Sequence, residues 1–193
     1  MKILLIDNND SFTYNLLHLI KSVCNNNDSI EVCSSDRLTI KMVADSDRIV
    51  ISPGPGTPSE AKKLHKIIRG YEKQIPIFGI CLGHQIIAES YGAVTYNLTR
   101  PAHGIQSEIL ITDHTDIFRG MEGNIVAGRY HSWCVSSENL PDCLKITAAD
   151  SAGNIMAISH CEYNIFGVQF HPESFMTDCG KTIMSNFLNL NQQ

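Results

Sequence analysis

What this sequence lacks narrows it first. No apolar run is long enough to cross a bilayer, no block of lysine and arginine offsets a formal charge of −5, and no cysteine pair has C-x-x-C spacing. These absences argue against a membrane span, a nucleic-acid partner and the common zinc or redox modules. Repeats, low-complexity tracts and linkers are missing too. With 43% hydrophobic and 18% charged residues, the 193 residues read as one domain, 1–193, with a sizeable core. The seven cysteines are odd in number and scattered, which favours a reducing compartment. The start, MKILLIDNND, reaches an aspartate at position 7, too soon for a signal peptide, and reads as a strand. A cytoplasmic location is therefore expected, and the glycosylation-like match at Asn97 to Thr99 reads as accidental.

What is present is an alternation of strands and helices. Ile3 to Ile6 is a continuous apolar run suited to a strand covered on both faces, and Asp10 or Ser11 can cap the helix SFTYNLLHLIKSV. IEVCSS and RIVIS follow as strands, EAKKLHKIIRGYEK as a helix, then PIFGI as a strand and LGHQIIAESYG as a helix. Such a pattern predicts an α/β fold: a three-layer, open, mostly parallel sheet flanked by helices, flavodoxin-like in kind. After Gly92 the texture becomes β-rich, with AVTYNL, SEILIT, NIVAGRY, KITAAD, IMAISH and IFGVQF, before a last helix from about Gly180 to Leu190.

Three stretches carry chemistry. In FGICLGHQ, a cysteine sits between two glycines where a strand gives way to a helix, at the sheet edge where α/β folds bind ligands. A sharp turn of this kind tolerates only small residues two positions either side, and Gly79 and Gly83 satisfy that in the manner of a nucleophile elbow. The helix N-terminus and a nearby imidazole would raise the thiolate fraction of Cys81; a small buried thiol in a tight turn explains the pattern equally well. VQFHPES places His171 past an apolar strand, with Glu173 two residues on and on the same side of an extended backbone. That composes a Cys81, His171, Glu173 triad, with His84, His103 and His131 as rival bases. SPGPGTP, stiffened by prolines and opened by glycines, can present a backbone N–H to an oxyanion, or can be an anion cradle or a plain rigid turn. It has neither the P-loop lysine nor G-x-G-x-x-G spacing. His160, Cys161, His171 and Cys179 match no common zinc pattern, and no metal site is expected.

Taken in order, DNNDSFTYNL, ISPGPGTP, FGICLGHQ, RYHSW and VQFHPESF resemble the class I glutamine amidotransferases along nearly the whole chain. The match is nearest the small subunits of anthranilate synthase and aminodeoxychorismate synthase. The resemblance implies that Cys81, His171 and Glu173 are catalytic, that the N–H groups of Gly54 and Leu82 form the oxyanion hole, and that Gln85, Gly56, Ser132 and Trp133 hold glutamine. The partner it implies is a chorismate-binding synthase subunit, in the tryptophan or folate pathway. No cofactor is expected in this chain, Mg²⁺ being expected on the partner alone. Two positions depart from the pattern: Ile105 stands where lysine often follows His-Gly, and Trp133 where leucine is commoner. A self-contained cysteine hydrolase of γ-glutamyl substrates is the alternative with the same fold; a silent regulatory module fits poorly with an intact triad.

Overall fold

The computed structural model describes residues 1–190. One nine-stranded sheet runs through it, in the order β2-β1-β3-β4-β9-β8-β7-β5-β6. The parallel part holds β1 (Lys2–Asp7), β2 (Ser29–Ser34), β3 (Arg48–Ile51), β4 (Ile77–Ile80) and β9 (Ile165–Val168). β8 (Ile155–His160), β7 (Leu144–Asp150), β5 (Thr95–Ile111) and β6 (Ile125–Val135) extend it through antiparallel ladders. Seven of the nine strands point the same way, β5 and β8 being reversed, and this is the α/β sheet the alternation predicts.

The burial of β1 shows why its strand is apolar throughout. Ile3 and Leu5 enter one core with Leu16 and Ile20 of α1 (Thr13–Val23) and Phe187 of α5 (Gly180–Leu188). Leu4 and Ile6 enter the opposite core with Val43 of α2 (Ile40–Ala44), Ile67 of α3 (Lys62–Tyr71) and Ile86 of α4 (Leu82–Ser90). Successive side chains of a strand face opposite ways, so a sheet between two helical layers needs apolar residues at every position. Each fully buried residue of this size contributes about 1.5 to 3 kcal/mol.

Several boundaries differ from the sequence-based expectation. α1 starts at Thr13, because the Asp10 carboxylate is taken by the Phe12 N–H (2.7 Å) and makes a turn ahead of the helix. α3 starts at Lys62 rather than Glu60, whose carboxylate turns back to the Thr57 N–H (3.0 Å) around a 3₁₀ turn at Pro58–Glu60. AVTYNL and SEILIT belong to one long strand, β5, whose register against β6 slips between Asn97 and Ala102 and again at Gly104 (φ 67°). The five-residue α2, capped by Thr39, was not expected, and the last helix ends at Leu188 rather than Leu190.

The insertion of β9 between β4 and β8 matters most for function. It brings a strand from the end of the chain parallel to β4, with Ile80 beside Val168, so that the residues following both strands emerge together.

Candidate active site

Cys81 is the single residue between β4 and α4, and its backbone takes φ 52° and ψ −101°. A non-glycine residue in that region is strained by about 1 to 3 kcal/mol, which the surrounding structure must impose. The two glycines allow it. A Cβ on Gly83 would lie 2.5 Å from the Ile51 carbonyl oxygen, and one on Gly79 would run into the Gly83 backbone. The Cys81 N–H donates to the Val168 carbonyl (2.8 Å), tying the turn to β9. The side chain is 7% exposed and borders a cavity of about 320 Å³.

His171 and Glu173 reach this turn by a route other than the extended one the sequence suggested. β9 ends at Val168, and the chain turns at His171, whose carbonyl accepts the Ser174 N–H (3.2 Å) and the Thr177 hydroxyl (2.7 Å). The turn still delivers Glu173 Oε1 to 2.7 Å from His171 Nδ1, with both side chains buried. Burial pushes the His171 imidazole towards neutrality, but Cys81 and Glu173 outweigh it and hold its pKa well above the ordinary 6.5. His171 Nε2 and Glu173 Oε2 have no hydrogen-bond partner among the described residues. The thiol therefore acts on the ring by proximity, without hydrogen-bonding geometry to Nε2. That nitrogen is free to exchange a proton.

Of the rival bases, His131 is saturated: its Nε2 accepts from Arg129 Nε (3.1 Å) and its Nδ1 meets the Trp133 carbonyl (2.9 Å). His84 is fully buried against Gly167 and pushed down to about 3 by its burial, with no partner for either ring nitrogen. The Gly167 backbone lies beside that ring without making a bond of acceptable geometry, so desolvation decides. His103 lines the cavity and lies 3.3 Å from Ser132 Oγ. His160 and Cys161 sit where β8 ends and β9 begins, at the other end of that strand from His171, and His160 Nδ1 accepts the N–H groups of Glu162 and Tyr163.

The remaining sequence candidates gather at the same cavity. Gly54, Gly56, Leu82, Gln85, Ser132 and Trp133 all line it. The N–H groups of Gly54 and Leu82 donate to nothing among the described residues. Gly54 has to be glycine because a Cβ there would lie 2.6 Å from Asn8 Cβ, and Gly56 adopts φ +89°. Ile105 is 46% exposed on β5, just beyond the Gly104 bulge and opposite Arg129 in the ladder.

Sequence reasoning missed four participants. Gln169, fully buried, points its Nε2 at Cys81 Sγ (3.6 Å) and accepts Gln85 Nε2 (3.0 Å) on its oxygen. A glutamine among the apolar residues of IFGVQF was the available signal. Phe12 and Tyr130 pack edge-on against the His171 ring, at centroid distances of 5.9 and 4.9 Å. Asn8 clamps Ser52 through its own N–H and its amide, both at 2.9 Å, which joins the ends of β1 and β3. The DNNDSF stretch turns Asp7, Asn8, Asp10 and Phe12 inward beside the site and leaves Asn9 and Ser11 exposed.

The elbow, the convergent cavity and the motifs define a class. The chain belongs to the glutamine amidotransferase class-I family, whose family model matches residues 4–190. It is 44% identical over 191 residues to aminodeoxychorismate/anthranilate synthase component 2 of Bacillus subtilis, covering 96% of this chain and 95% of that protein. It is also 42% identical to the bifunctional protein TrpGD of Thermotoga maritima, matching over 98% of this chain but spanning only 32% of that protein's length. In fold it resembles the crystal structure of a protein described as a GMP synthase subunit from Thermoplasma acidophilum, with a TM-score of 0.86 and 25% identity over 97% of this chain and 92% of that one. Among the described residues, no helix is long and apolar enough to cross a membrane.

Proposed function

We propose that this chain is the glutaminase subunit of a two-chain synthase, releasing ammonia from L-glutamine through a cysteinyl thioester. The observation that carries the reading is the strained Cys81 turn facing a cavity, with an imidazole whose outer nitrogen is unpartnered. The Cys81 sulfur attacks the side-chain amide carbon, and its proton passes to His171 Nε2. Glu173 on Nδ1 stabilises the imidazolium that forms. The carbonyl oxygen becomes an oxyanion in reach of the free N–H groups of Gly54 and Leu82, each such donor being worth about 3 to 4 kcal/mol. His171 then protonates the amide nitrogen, the C–N bond breaks and ammonia leaves. Water, deprotonated by His171, attacks the thioester, and glutamate leaves as the thiol is restored. Gln85, Gly56, Ser132 and Trp133 hold the amino-acid end of the substrate.

The acceptor is chorismate on a separate chain, and the component 2 names of the relatives support this reading. Ammonia freed into water near neutral pH would become mostly ammonium, a poor nucleophile, so transfer is proposed across a protected interface at the face around Cys81. Ile105 and the exposed Phe175, close to Glu173 in sequence, belong to that docking face. Mg²⁺ is assigned to the synthase partner, and a reducing, cytoplasmic setting suits seven free cysteines. In the reconstituted complex, Cys81→Ser should abolish glutamine-dependent product and spare synthesis from added ammonium salts. Loss of both activities together, with the complex still assembled, would reject a role confined to ammonia supply. Full activity of the isolated chain on γ-glutamyl peptides, unchanged by the synthase, would favour the self-contained hydrolase.

A further inference from the structure

Behind the cavity, β6 carries a chain of buried hydrogen bonds that the reaction above leaves unused. Arg129, 6% exposed, donates from Nη1 to Asp150 Oδ2 (2.8 Å) and from Nε to His131 Nε2 (3.1 Å). The Trp133 carbonyl lies 2.9 Å from both His131 Nδ1 and Gln85 Nε2. That same Gln85 nitrogen reaches Gln169 Oε1 (3.0 Å), and Gln169 Nε2 stands 3.6 Å from Cys81 Sγ. Asp150 itself cannot turn away, because its carboxylate accepts the N–H groups of Ala152 and Asn154 (both 2.9 Å) and the Asn154 side-chain amide (2.7 Å).

The directions of the bonds follow from two groups with a single role, the donor-only Arg129 guanidinium and the acceptor-only Trp133 carbonyl. A guanidinium has only donors, so the lone pair of His131 must face it on Nε2 and the ring proton must sit on Nδ1. Nδ1–H and Gln85 Nε2 then both donate to the Trp133 carbonyl. Both hydrogens of Gln85 Nε2 are consumed, by Trp133 and Gln169, and its Oε1 is the atom left for the cavity it lines. Gln169, having accepted on its oxygen, can offer the sulfur only its nitrogen.

We infer that the Arg129–Asp150 pair is a positioning element for glutamine hydrolysis. By holding the His131 ring it fixes where the Trp133 carbonyl stands, and that carbonyl, which can only accept, makes Gln85 present its oxygen to the α-amino group of glutamine and Gln169 a donor to the Cys81 sulfur. The inference rests on the glutamine reading of the cavity. A buried ion pair is by itself weak evidence for stability, but this one has a further donor committed to a histidine. His131 is faced by Arg129 on its own strand, Asp150 on β7, His171 after β9 and His84 on α4. Burial, and after it the Arg129 charge, pushes His131 down to about 4, so it stays neutral where the enzyme works.

Histidine ¹⁵N NMR on the full chain tests the relay directly. His131 should show the Nδ1–H tautomer, the minor form of free imidazole, from pH 8 down to 5. Arg129→Lys keeps a cation for Asp150 but has no donor at Nε. It should free the His131 ring from one of its two anchors, raise KM for glutamine by about tenfold more than it lowers kcat, and cut the preference for glutamine over glutaramate, which lacks the α-amino group, by about the same factor. A generally loosened structure would instead lower activity on both substrates alike. An Nε2–H tautomer in the wild type overturns the inference, and does so even if the variant fails to fold. So does an Arg129→Lys chain with substrate preference unchanged. Failure of the glutamine reading is seen separately, as a wild-type complex that hydrolyses no glutamine.

Discussion

Replacing Gly83 by alanine isolates what the Cys81 turn requires. A Cβ at that position would lie 2.5 Å from the Ile51 carbonyl oxygen and 3.1 Å from its carbon, where ordinary contact begins at 3.4 Å. The obstruction is strand backbone and cannot rotate aside, so the first turn of α4 must retreat by about 1 Å. Alanine favours a helix over glycine by about 1 kcal/mol, while overpacking a core costs about 1 to 3 kcal/mol, so the net loss of stability should be small beside a total of about 5 to 15. Activity should suffer far more. The retreat carries the Leu82 N–H away from the oxyanion and the sulfur off its line to His171, and a misplacement of that size costs on the order of 100-fold in rate. Gly70 on α3 is the control: nothing lies within 4 Å of its Cβ position, and Gly70→Ala should raise the melting temperature by about 2 to 4 °C with wild-type activity. The assay is glutamate release by each variant in complex with the synthase, alongside thermal unfolding. Wild-type kcat/KM in Gly83→Ala, with its melting temperature preserved, would refute the argument that the glycines hold the nucleophile's geometry.

His171→Asn should lower thioester formation by several orders of magnitude with the fold intact, and Glu173→Gln by less, since orientation is only part of the imidazole's function; rapid quench of the acyl-enzyme measures both, and a larger effect from His131→Ala would show the base misassigned. A glutamine-like diazo ketone should modify Cys81 ahead of the other six thiols, because burial pushes Cys134 up to about 12 and Cys179 to about 11 and also raises Cys24, Cys33 and Cys143. Peptide mapping reads this, with exposed Cys161 as the competitor to watch. Stability should fall as pH drops from 7 to 5, since His84 is held at about 3 in the fold against 6.5 when unfolded and the unfolded chain alone takes up the proton. The loss begins near pH 6.5, amounts to about 2 kcal/mol by pH 5 and ends near pH 3. His131 adds to it, whereas His171, with a raised value, opposes it by favouring the fold at low pH. His84→Leu should flatten the slope in urea titrations at the two pH values; an unchanged slope would mean that His84 is not the group refusing the proton.

How much of this was legible in the sequence depends on which interactions are local. The Cys81 turn could be read because the residues that permit it lie within five positions, glycine on either side and a strand and helix in sequence, although Ile51 and Val168, which press on it and tie it down, are distant. β1 could be read because burial on both faces leaves a continuous apolar run. The His171–Glu173 pair was legible as residue types but not as geometry: the chain turns at His171 to join β6 through Gly128, and nothing in HPES announces an interaction with a strand more than forty residues earlier. Splitting β5 in two had the opposite cause. AVTYNL and SEILIT read as separate pieces with proline and glycine between them, yet the long partner β6 carries the ladder across both irregularities.

The same distinction explains why Gln169 and Arg129 escaped notice although both lie in quoted motifs. A polar residue at a buried position declares itself only when its neighbours are known, and theirs come from the Cys81 turn, α4, β6 and β7 at once. Such a residue costs several kcal/mol unless every polar atom is matched, so it persists where a network completes it. At the end of β9 the network reaches the sulfur, and at the end of β7 it reaches the surface turn that seats Asp150. The reactive turn, set by a few adjacent residues, is therefore held in register by a frame that only the complete sheet can assemble.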